Sequence, residues 1–177
     1  MEPLDLTLRP PRSPFLQLEG LYVLPRTIDK ARAQLPGGTV GSFTIRGSTN
    51  LLPGLSLLLL DGIGINEEQL LQAVAEAATE EDICAWLREN GDLSQKDRLN
   101  EALLRRSVGD ILKVVPIEKV EKTYPFIRSF PIETSTFEVI LHDDRLAFPD
   151  LIALEDRVAS IMSARTVSQK TPAERLS

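Results

Sequence analysis

One cysteine and one histidine in 177 residues rule out several kinds of chemistry at once. A single cysteine excludes a disulfide framework within the chain and a cysteine-rich zinc site. A single histidine excludes a histidine-based metal cluster or a two-histidine mechanism in one chain. Aromatic side chains are scarce too, at 5%. The core must therefore be filled by aliphatic side chains, mainly leucine, which favours helix-rich packing. The most apolar run, Leu55 to Leu60, is far shorter than the roughly 20 residues of a membrane span. The N-terminus, MEPLDLTLRPPRSP, has no basic stretch followed by an apolar one, so no signal peptide is expected. A cytoplasmic, reducing location follows as an expectation, with Cys84 as a free thiol. Basic charge is short as well: 20 Lys and Arg against 26 Asp and Glu give a net charge of −6. Such a chain is a poor nucleic-acid binder, because phosphates need a basic footprint, and a poor partner for an anionic membrane.

What is present reads as one globular domain, with 42% apolar and 26% charged residues. The charge is uneven. Residues 66–92 carry eight acidic side chains and one basic one, whereas residues 93–130 carry eight basic and five acidic. The acidic block reads first as a solvated helix face, and second as a docking surface for a basic partner.

Prolines at 3, 10, 11 and 14 make the first segment an extended arm rather than a helix. In it Leu4, Leu6 and Leu8 alternate with polar residues, so one face of the arm could lie on the domain. Pro25 opens a helix that closes at Pro36, Gly37 and Gly38. Residues 39–50 suggest a short strand. The leucine-rich segment from Leu51 to Gly64 leans to a short helix. Asn66 with Gln69, and Thr79 with Asp82, are capping-box starts for two helices. A third helix starts near Ser94, and two short ones flank Pro116. Tyr124 to Thr134 reads as a loop. Thr136 to Phe148 suits a helix through Phe137, Ile140 and Leu141, and a strand through Phe137, Val139 and Leu141. Pro149 opens a last helix over 149–165, with Leu151, Leu154, Val158 and Ile161 as its apolar stripe. Residues 166–177 form a frayed tail. The predicted class is mostly α, or α+β with one short strand pair. It is a single helical domain over 1–165, with residues 1–20 as an arm packed on it.

Candidate chemistry is thin. Gly37, Gly38 and Gly41 lack the lysine and the following helix of a phosphate loop. Cys84 has acidic neighbours, which raise a thiol pKa and make it inert. His142, Asp143 and Asp144 are the one compact polar group after an apolar run. Solvated carboxylates are the leading reading there, ahead of acid–base work or a metal site. Arg26, Asp29, Lys30 and Arg32 share one helix. Arg26 and Lys30 sit four apart, where like charges repel. They read as a solvated face, as an anion site at a helix start, or as partners of the chain's own carboxylates such as Asp143 or Asp144. These seven residues are the candidate ligand-binding set. No catalytic residue, metal or cofactor is expected.

The strings LDLTLRPPRSP, LEGLYVLPRTIDKARAQLPGG and LNEALLRRSVGD resemble a bacterial family of small cytoplasmic proteins classed as a domain of unknown function. The similarity runs from about Leu4 to Phe148. It implies a compact, mostly helical domain and no known activity. It also places Arg9, Arg12, Arg26, Asp29, Lys30 and Arg32 in the shared strings, which are basic within an acidic chain. The leading functional expectation is a non-catalytic binding or protein-interaction domain. One alternative is an enzyme or ligand-binding domain for a small phosphate- or carboxylate-bearing metabolite, held by Arg26 and Lys30. Another is an accessory subunit that contacts partners, or a second copy, through the helix over 149–165.

Overall fold

A computed structural model describes residues 1–46 and 54–151. The chain divides into two compact units, Met1–Asp143 and the segment from Asp144 onward. It is mostly α-helical. The described residues hold eight α-helices and one two-stranded antiparallel sheet.

The sheet is a hairpin in the first twenty-odd residues. Strands β1, Gln17–Leu18, and β2, Leu21–Tyr22, pair in the register Gln17 with Tyr22 and Leu18 with Leu21. Glu19 and Gly20 form the turn with φ of 54° and 75°. Two left-handed residues make the turn whose twist matches that of the flanking strands. The strand pair therefore lies outside residues 39–50, where the composition suggested one. There, Thr39 makes only an isolated bridge to Asp5, and residues 47–53 lie outside the described chain.

Helix α1, Leu24–Arg32, follows the hairpin directly, with Pro25 in its first turn. Its cap is Val23, a buried β-branched residue held at φ 68°. That backbone is costly for valine. It is fixed from both sides: Val23 N donates to Pro14 O at 3.1 Å, and Val23 O accepts from Thr27 N at 2.9 Å and Thr27 Oγ1 at 3.0 Å. The helix stops three residues before Leu35, the end that the apolar spacing suggested. Gly38 completes the exit, because a β-carbon there would lie 2.5 Å from the Ala33 carbonyl oxygen.

Helix α2 is Leu55–Gly62, α3 is Glu67–Glu76 and α4 is Glu80–Asn90. Both expected capping boxes are formed, Asn66 with Gln69 and Thr79 with Asp82. Helix α5, Lys96–Arg105, begins two residues after Ser94. Helices α6, Val108–Leu112, and α7, Ile117–Glu121, break at Pro116. The segment read as a loop contains a 3-10 turn at Ile127–Ser129. The ambiguous segment is a helix, α8, over Thr136–Ala147. Residues 149–151 are helical and belong to the second unit. The rest of the expected last helix and the tail, residues 152–177, lie outside the described chain.

Helices α1 to α5 and Phe137 of α8 enclose the main core, which is aliphatic as the composition requires. A smaller core gathers Val108, Val115, Val120, Ile127 and Val139. One polar residue ties the hairpin to the helices. Asn100, buried on α5, accepts from Tyr22 N at 3.0 Å and donates to Gly20 O at 2.7 Å. Asn100→Ala strands both backbone groups in a largely dry site. The expected loss is about 2 kcal/mol in chemical denaturation. A loss below about 0.5 kcal/mol would show that the hairpin is held by its apolar side chains alone.

Candidate functional site

The N-terminal segment runs along the end of α1. Leu4 N donates to Arg32 O at 3.3 Å, Leu6 N to Thr39 O at 2.8 Å, and Thr39 N to Leu4 O at 2.9 Å. Leu4 and Leu6 are buried, whereas Leu8 is 78% exposed. The buried alternation thus ends at Leu6, ahead of Pro10 and Pro11. Phe15 and Leu16 are exposed as well, although the Phe15 ring meets the buried Phe137 ring edge-on at 5.0 Å.

Between these points the RPPRSP string is fastened by charge. Asp29 on α1 is 4% exposed. Its carboxylate accepts from the Arg12 backbone N at 2.9 Å, from Nε at 3.0 and 3.1 Å, and from Nη2 at 2.9 Å. Arg12 Nη2 also donates to Pro25 O at 3.1 Å and pairs with Glu80 at the start of α4. Burial acts to lower the Arg12 pKa, but the hydrogen bonds to Glu80 and Asp29 outweigh it and hold the guanidinium above its ordinary value. Three elements meet at this one side chain.

The four α1 candidates take different places. Arg26 is 4% exposed, donates through Nη1 to Pro11 O and Arg12 O at 3.2 Å each, and sits 5.5 Å from the Phe43 ring centroid. A guanidinium over an aromatic face is stabilised by the ring quadrupole. Asp29 takes Arg12 closely and Arg32 at 3.9 Å. Arg32 Nε donates to Glu2 O at 2.8 Å. Lys30 Nζ reaches Thr44 O at 3.1 Å on the surface. The solvated-face reading is therefore corrected for Arg26 and Asp29. Both point inward, and each holds the N-terminal segment.

The second candidate group lies on α8. The His142 ring packs edge-on between Phe126 at 4.7 Å and Phe130 at 5.2 Å, beside the smaller core. Asp143 closes the first unit, and Asp144, which is buried, opens the second. Among the described residues no three His, Cys, Asp or Glu side chains are placed to hold a metal. Nor is any helix among them long and apolar enough to cross a membrane.

Sequence reasoning put Arg12 in a shared string but not in the site, and it missed Glu80 and Asn100. Arg12 and Asp29 stand 17 residues apart, and Arg12 and Glu80 stand 68 apart. No local spacing encodes those pairings. The usable signal was the basic RPPRSP string in an acidic chain, which needs a carboxylate somewhere.

Cys84 is buried on α4. Burial first, then the hydrogen bond to Glu19 and its negative charge, push the thiol up to about 11. Native protein should therefore react slowly with iodoacetamide at pH 8, and unfolded protein quickly. The sign of the pH effect on stability follows. Between about 9 and about 11 the unfolded thiol loses its proton while the folded one keeps it. The folded state then binds more protons, so stability falls as pH rises through that window. Cys84→Ser should flatten the slope; an unchanged slope would place the shift elsewhere.

The site is thus a helical scaffold with a pinned N-terminal segment. A family model described as Domain of unknown function (DUF5069) matches residues 8–115, more than half of the chain, and the chain belongs to that family. The match takes in the hairpin, α1 and Asn100, and ends at Val115. No curated protein matches the sequence.

Proposed function

We propose that the chain is a non-catalytic interaction domain whose basic shared strings have a structural task. The observation that carries this reading is the Asp29 carboxylate, which receives four hydrogen bonds from Arg12 in a buried setting. Arg26 is likewise engaged with the backbone of the same string. Cations held this way brace the fold and offer little to a small-molecule phosphate. The acidic side chains of α3 and α4 point outward, among them Glu68, Glu76, Glu81 and Glu89. That favours a protein partner with a basic surface over a nucleic acid. The setting we assign is the reducing cytoplasm of a bacterium, from the shared strings and the single cysteine.

The test is a thermal-shift screen against phosphates, nucleotides, carboxylates and divalent metals, run on the native chain and on Lys30→Ala. Lys30 is the candidate cation whose ammonium bonds at the surface. A ligand that binds only the folded state raises the melting temperature by mass action. We expect the two proteins to respond alike to every compound. A stabilisation that the native chain shows and Lys30→Ala loses would favour the anionic-metabolite reading instead.

A further inference from the structure

We draw no further inference here: the strongest candidate, the exposed apolar patch of Phe15 and Leu16 at the start of strand β1, carries nothing because nothing in the structure shows what covers it.

Discussion

Asp29→Ala is expected to destabilise the domain by about 3 kcal/mol, measured by chemical denaturation. The reason is the number of groups that lose their acceptor together. The Arg12 backbone N, Nε and Nη2 all donate to this carboxylate. Arg32 lies 3.9 Å from it. Removing one member of a buried pair leaves the other charge uncompensated, which costs more than the pair itself contributes. The Arg12 side chain is 33% exposed, so water recovers part of its solvation and the loss sits at the low end of the range for buried pairs. Asp29→Asn should cost less, because the amide oxygen still accepts. A loss below about 1 kcal/mol for the alanine variant would mean that the N-terminal segment is held by Leu4 and Leu6 without electrostatic help.

The second large effect is expected at Phe137. This ring is fully buried, meets Phe15 at 5.0 Å and Tyr22 at 6.2 Å, and so joins α8 to the hairpin. Phe137→Ala removes the largest apolar surface at that junction and leaves a cavity. The loss should be about 3–5 kcal/mol. Phe137→Leu keeps most of the volume and should lose clearly less. Equal losses for the two variants would indicate that edge-on ring geometry, rather than volume, holds the junction.

The parts of the fold that were legible are those written locally. Asn66 and Gln69 form their capping box because three residues of helix bring them together wherever that sequence occurs. The same holds for Thr79 and Asp82, and for the break at Pro116. The hairpin was not legible. Its strands are two residues each, too short for any alternation to show, and its turn uses Glu19 rather than the asparagine or aspartate that would signal it. The segment from Thr136 was balanced between two periods. Tertiary packing decided it, by drawing Phe137 into the main core and Val139 into the smaller one. At the site, the spacing of Arg26 and Lys30 left a solvated face, an anion site and the chain's own carboxylates as alternatives. It could not say that Pro11 and Arg12 carbonyls, 14 and 15 residues away, would receive Arg26. Nor could it say that Asp29 would serve a distant arginine before its own helix neighbours.

The central claim is that Arg12 and Asp29 fasten the N-terminal segment to α1. A double-mutant cycle on Arg12→Ala and Asp29→Ala, with stability read by denaturant, tests it most directly. The account predicts a coupling energy of about 1.5–3 kcal/mol, so that the second substitution adds little once the first is made. Strictly additive losses, with coupling near zero, would contradict it.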